Sequence, residues 1–348
     1  MAAGLTQYER LWEIMLNGEP FINSTAGRQF RCIFDIDVSV QGAVSMADIQ
    51  IYNLARTTAI NQKSSIVFKA GYADRYDMIF SGRVTNVFKE RREPDIITRL
   101  LCWSGDASSD RGMLHTPYGA GAHLVDVLED IAKAWPRALE IDRSQFTDKD
   151  VFTSGWTALC DLRDALTSLK GQFDFDWQLD RGALVITRGN KPRSTTLFDV
   201  NQFTGMVGYP KMSDDPSGLF IDVSMRINPF IRSSSRINVE ADFSTYNSGD
   251  LQVVERPEGT SVNGEYNVLS LRYFGDSHGD IWDMRMHCLR PGTQDPATER
   301  VKAVTGIIER QDQTTVTAAD ISTNDIGGGL VWGGEGRSCI QSQGERAC

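Results

Sequence analysis

A chain of 348 residues is long enough to bury a core without disulfides, and 41% hydrophobic with 24% charged residues places it among globular proteins. Its formal net charge of −10 opposes nucleic-acid binding through phosphate neutralisation, which needs a basic face. No run approaches the roughly eighteen consecutive apolar residues of a membrane-spanning helix, and the start, MAAGLTQYERLWEIML, is acidic where a secretory signal would be basic, so folding in a cytoplasm without membrane insertion is expected.

The N-terminal part reads as β-structure. Leu11, Glu13 and Met15 alternate with Trp12, Ile14 and Leu16 ahead of Asn17-Gly18, a dipeptide suited to the positive φ angles of a tight hairpin, and Phe21-Ile22 resumes beyond it. A helix over residues 5 to 16 competes for the same segment. Phe30, Cys32, Phe34, Ile36 and Val38 then alternate with Arg31, Asp35 and Asp37, the period of a half-buried strand. Further strands are expected at Asp48 to Leu54, Ser65 to Tyr72, Met78 to Phe88 and Ile96 to Trp103. The run from Lys89 to Asp95, KERREPD, mixes charge signs and contains Pro, as a solvated hairpin tip does. Short strands at this spacing suggest a sandwich or barrel.

The period changes in the middle. Leu124, Val127, Leu128, Ile131 and Trp135 fall on one helical face, and Pro136 stops the segment. A second helix is expected from Trp156, Leu159, Leu162, Leu166 and Leu169, beginning near Thr153-Ser154 and ending at Lys170-Gly171, with Gly suited to a left-handed C-terminal position. The stretch FDFDWQLDRGALVIT, Phe173 to Thr187, holds two alternating runs around Asp180-Arg181-Gly182 and predicts a hairpin, which completes an α+β insert. Gly208 to Gly218, GYPKMSDDPSG, has the composition of a link between domains. Leu219, Ile221, Val223 and Met225 then alternate with polar partners, as do Ile237 and Val239. Glu265 to Phe274 is expected to pair with Ile281 to Cys288 across the turn from Gly275 to Asp280, within a second β-domain. Beyond Pro291 the pattern weakens into a polar, Gly-rich end expected to order on a partner.

Catalytic chemistry finds little support. The six cysteines, Cys32, Cys102, Cys160, Cys288, Cys339 and Cys348, form no C-x-x-C pair, and the first four lie in apolar patterns as reduced core residues do. No pair among His115, His123, His278 and His287 has zinc-protease spacing. The best isolated candidate is Asp276-Ser277-His278-Gly279-Asp280, where carboxylates flank an imidazole, but its glycines favour a plain turn. Gly327-Gly328-Gly329 and Gly333-Gly334-Glu335-Gly336 lack the Lys-Ser/Thr of a phosphate loop. The acid pairs Asp161 with Asp164 and Asp214 with Asp215 are the residues a glycosidase reading would use. No catalytic residue, cofactor or metal site is expected.

Two segments carry a family resemblance. SMADIQIYNLARTTAI, followed by VFKAGYADRYDMIFSGRVTNVFKERREPDIITRLLCWSGD, resembles the first β-domain of bacteriophage contractile-tail baseplate hub proteins, a family related to the hub-like N-terminal part of type VI secretion spike proteins. The signature positions are Ile51, Tyr52, Asn53 and Leu54, then Gly71 and Tyr72, then Phe80, Ser81 and Gly82 in an I-F-S-G-x-V strand. GEYNVLSLRYFGDSHGDIWDMRMHC resembles the family's closing hairpin through Gly264, Tyr266, Val268, Gly275, Asp276, Gly279 and Trp282.

The resemblance implies an α+β, mainly β fold: a β-barrel-like hub domain over residues 1–106, a helix-helix-hairpin domain over 107–207, a second β-barrel-like domain over 208–290 and an extension over 291–348. It implies a non-enzymatic virion protein of the tail baseplate. Three copies would form a ring joining the tail tube or its initiator proteins above to the spike below, beside other baseplate proteins. DNA would pass the channel without specific binding during genome ejection, and an acidic lining would prevent sticking. Two other functions compete: a carbohydrate-binding tail-tip protein stacking sugars on Trp177, Trp282 or Trp332, and a hub-associated cell-wall hydrolase.

Overall fold

The computed structural model describes residues 9–24, 30–38, 44–55, 57–105, 113–135, 138–157, 159–189, 191–215, 218–246 and 261–291. Pro136, Trp332, Cys339, Cys348 and the extension from residue 292 lie outside the described residues.

Strands β1 (Arg10–Leu16) and β2 (Glu19–Asn23) are joined by Asn17 and Gly18, whose φ angles of 53° and 85° give the two-residue turn that matches strand twist. Trp12 and Ile14 are buried while their neighbours are partly exposed, so the segment is a strand and the competing helix is set aside. Next come β3 (Cys32–Val38), β4 (Met46–Tyr52), β5 (Ser65–Tyr72), β6 (Arg75–Arg92) and β7 (Asp95–Trp103). The KERREPD run is the exposed tip of the β6–β7 hairpin, where Arg92 faces Asp95.

The middle region has a core of its own. Its elements are β8 (Met113–Leu114), β9 (Pro117–Tyr118), α1 (Leu124–Ala134), β10 (Ala138–Ile141), β11 (Trp156–Thr157), β12 (Cys160–Asp161), α2 (Leu162–Gln172), β13 (Phe175–Asp180) and β14 (Ala183–Arg188). Leu124, Val127, Leu128 and Ile131 of α1 meet Leu162, Leu166 and Leu169 of α2 in this core, over the β10-β14-β13 sheet.

Helix α2 corrects the expected boundaries. It begins at Leu162 because the Asp161 carboxylate accepts hydrogen bonds from the amides of Arg163 and Asp164, at 3.0 and 2.9 Å. Trp156 therefore sits in β11, and Leu159 is 73% exposed despite its helical spacing. At the other end Gly171 lies inside the helix, and the C-cap is Phe173 in extended conformation.

The chain continues through β15 (Leu197–Val200), β16 (Lys211–Asp215), β17 (Gly218–Arg226), β18 (Arg236–Val239), β19 (Thr245–Tyr246), β20 (Gly264–Asp276) and β21 (Trp282–Leu289). The expected link at Gly208 to Gly218 instead contains β16, paired antiparallel with β17. Met212 is buried and anchors it beneath an otherwise polar composition.

The N- and C-terminal β-regions form one fourteen-stranded sheet, ordered β19-β16-β17-β21-β20-β3-β4-β7-β6-β5-β1-β2, with β15 and β18 joined on through β20. Strand β20 is the connector. Its first residues, Gly264 to Asn267, pair with β18, and its last, Leu271 to Asp276, pair with Val38 to Ile33 of β3. Both regions feed one continuous core, from Trp12 and Phe34 to Trp282 and Met286. Among the described strands no pairing closes this path on itself.

Candidate functional site

Residues far apart in sequence meet where the β20–β21 turn packs against the ends of β1, β3 and β5. Trp282 is fully buried, and its indole N–H donates to the Gly71 carbonyl at 3.2 Å. The Tyr72 hydroxyl returns a bond to the Trp282 carbonyl at 3.3 Å. Phe34 stands edge-on to both Trp282 and Phe68, with ring centroids 4.9 Å apart in each pair. Gly275 is required here: a Cβ on it would lie 2.7 Å from Trp282 and 2.9 Å from Phe34. Gly71 is equally constrained, since a Cβ would lie 1.9 Å from the Arg75 carbonyl oxygen across the β5–β6 turn.

Charges hold the same turn from outside. Asp276 accepts from Arg31 through Nε at 3.1 Å and Nη2 at 2.6 Å, and from the His278 amide at 3.0 Å. Partial burial works against its ionisation, but Arg31 and the backbone amides prevail and hold its carboxyl below the usual range. Arg31 lies 5.0 Å over the Tyr52 ring. Arg10 donates to the carbonyls of Asp276 at 3.1 Å, Asp280 at 3.0 Å and Gly279. The Cys32 amide donates to Ser277 Oγ at 2.9 Å. The turn weighed as a catalytic candidate latches the β20–β21 hairpin to β1 and to the start of β3. Asp276 engages Arg31 and the His278 backbone, and the His278 ring meets Ser277 Oγ at 3.0 Å.

The remaining signature positions do related work. Asn53, at φ 56°, donates to Asp95 at 2.9 Å and accepts from the Ile96 amide at 3.1 Å, tying the end of β4 to β7, while Ile51 and Leu54 are buried beside it. Phe80 is buried and Ser81 follows it in β6; at Gly82 a Cβ would lie 2.2 Å from the Trp103 carbonyl oxygen. Gly264, Tyr266 and Val268 lie at the far end of β20, where the Tyr266 hydroxyl donates to the Val262 carbonyl at 2.9 Å. The structure therefore brings Tyr52, Gly71, Tyr72, Gly275, Asp276, Gly279 and Trp282 together and leaves the Gly264 group apart.

Two features had no sequence signal. The first is a buried charge cluster between the β13–β14 hairpin and the loop before β18. Arg193 donates to Asp180 at 2.7 Å and pairs with Glu140, while Arg181 donates to the Pro229 carbonyl at 2.8 Å and to the Tyr273 hydroxyl at 3.2 Å. The second is an exposed aromatic patch of Phe203, Tyr209 and Phe243. Arg193, Phe203, Tyr209 and Phe243 look like ordinary loop residues, and Glu140 and Asp180 like ordinary strand residues, until the fold gathers them.

The other candidates have structural explanations. Burial pushes the thiols of Cys32 and Cys288 far up and that of Cys102 up to about 12, so they stay protonated as small core side chains. His115 and His123 are exposed, and His287 meets Asp222 at 2.8 Å. Asp161 caps α2 and Asp164 is exposed. Trp177 and Trp282 are buried and offer no face to a sugar ring.

Residues 46–288 match the family described as baseplate hub gp41. No curated protein sequence matches the chain. Among solved structures, a 43 kDa tail protein of prophage MuSo2 from Shewanella oneidensis is similar at TM-score 0.54 and 10% identity, over 81% of this chain and 99% of that one. A tail protein from Neisseria meningitidis MC58 is similar at TM-score 0.52 and 10% identity, over 83% and 99%. The E. coli c3393 protein, a type VI secretion component, is similar at TM-score 0.51 and 10% identity, over 79% and 76%. At these identities the likeness is one of fold.

Proposed function

Because the chain belongs to the baseplate hub gp41 family, on a match spanning residues 46–288, we propose that it is a non-enzymatic structural subunit of a contractile-tail baseplate, forming a trimeric ring between the tail tube and the central spike. The observation that carries this is the weld through β20: the pairing with β3 and the Trp282 latch join the two β-regions into one sheet over one core. A ring element under load needs such a body. Residues 1–106 and 208–290 serve as the two barrel-like ring modules, 107–207 as a peripheral module with its own core, and 291–348 as a partner contact. Placed side by side around an axis, copies cover the open edges at β2 and β19. The DNA channel is lined by acidic side chains, in keeping with the net charge of −10.

The test is light scattering on the purified full chain, alone and with the spike protein of the same phage. Trimer mass and a shared elution peak are expected. A chain that stays monomeric and elutes apart from the spike contradicts the proposal.

A further inference from the structure

The charge cluster at the β13–β14 turn does not balance. Among the described residues it gathers the guanidiniums of Arg181, Arg193 and Arg232 around the carboxylates of Asp180 and Glu140. Arg193 takes the close contacts with both acids, bonding Asp180 at 2.7 Å and pairing with Glu140. The other two cations reach them only at longer range: Arg181 Nε stands 3.8 Å from Asp180, and Arg232 Nη1 stands 3.8 Å from Glu140. One positive charge is left in excess where burial makes unpaired charge costly.

The shortfall falls on Arg181, whose side chain is 4% exposed. Its Nη2 donates to the Pro229 carbonyl and the Tyr273 hydroxyl, but Nε and Nη1 have no hydrogen-bond partner among the described residues. Most N–H donors of this buried guanidinium are therefore unused. Ser233, fully buried next to Arg232, has an unpartnered hydroxyl as well. Burial, and after it the neighbouring Arg181 charge, lowers the Arg232 guanidinium, so the two cations stand close enough to repel. Like charges held together with donors to spare are what an anion bridges. Arg232 and Glu140 are 30% and 45% exposed at their side chains, which opens the cluster to solvent on that side.

We infer that a small monovalent anion of the halide class binds between Arg181 and Arg232, accepting from the Arg181 Nε–H and Nη1–H groups and balancing the excess charge. Arg181 and Arg193 tie the β13–β14 hairpin to Pro229, Tyr273 and Ser233, so the anion fastens the middle region to the second β-region. The site is independent of ring formation, and its failure leaves the hub proposal standing.

Thermal melting of the full chain in sodium chloride, against sodium gluconate at the same ionic strength, tests it. Chloride is expected to raise Tm by roughly 2–4 °C and to saturate, because a ligand bound only by the folded state stabilises it by mass action. The variant R181M is expected to lose this response. R232M, changed at a partly exposed side chain, should lose it too and carries the test if R181M does not fold. In crystals grown with bromide, an anomalous peak is expected within hydrogen-bond reach of Arg181 Nη1. Equal Tm in the two salts, as an ordered water alone would give, overturns the inference. So does a chloride response that R232M keeps, or a bromide peak that is absent from the cluster.

Discussion

Trp282→Ala is expected to destabilise the fold by about 3–5 kcal/mol, read as a lower urea midpoint at unchanged slope. The side chain is fully enclosed between Phe34, Gly71 and Gly275, and the flanking backbone leaves little room for collapse into the cavity. The damage should not stay local. Trp282 opens β21, which pairs with β17 and β20, and its indole reaches the Gly71 carbonyl at the end of β5. Trp282→Phe separates the two contributions. It keeps an apolar ring against Phe34 but leaves the Gly71 carbonyl without its donor, for a loss of about 1 kcal/mol beyond the volume change. Equal losses in the two variants would show that packing against Phe34 contributes little, contrary to this expectation.

Asp180→Ala is expected to cost about 3–5 kcal/mol, because it leaves buried positive charge without its partner. Asp180 and Arg193 are 5% and 9% exposed at their side chains and bond at 2.7 Å. Arg181 lies close by, and the Arg232 guanidinium is already lowered by burial and by the neighbouring Arg181 charge. Glu140 remains as a partner for Arg193, but it is 45% exposed and offers less in exchange. The double variant Asp180→Leu with Arg193→Met removes both charges and should cost less than Asp180→Ala alone. Hydrogen exchange in Asp180→Ala should rise first in β13 and β14, since Arg181 and Arg193 join that hairpin to Pro229 and Ser233 in the loops before β18. Uniform loss of protection across β3 and β20 would mean that the cluster is part of the main core instead.

Much of the local structure was legible because strand and helix periods are local properties. The alternation around Trp12 and Ile14, the Asn17-Gly18 turn, the strand from Ser65 to Tyr72 and the single-faced helix around Leu124 to Ile131 all follow from patterns within a few residues. Boundaries failed where one polar contact outweighed the pattern, as when the Asp161 cap started α2 beyond Trp156 and Leu159. Strand β16 was missed because a strand with one inward apolar residue, Met212, reads as a loop.

What no local pattern could reveal is partnership. The pairing of Phe34 with Gly275, the Arg31–Asp276 ion pair and the charge cluster around Arg193 connect residues tens to hundreds of positions apart. For the same reason the signature residues were visible as letters before their convergence was visible as a latch. Their order along the chain carried the family; their contacts explain why glycine and tryptophan stand at Gly71, Gly275 and Trp282.

Cryo-EM of the intact baseplate decides whether this chain forms the proposed ring between tube and spike. Three copies are expected around the tail axis, each contributing the sheet from β19 to β2 to the ring, in contact with the spike below. Density that places the chain at the baseplate periphery, or in a number of copies other than three around the axis, would contradict it.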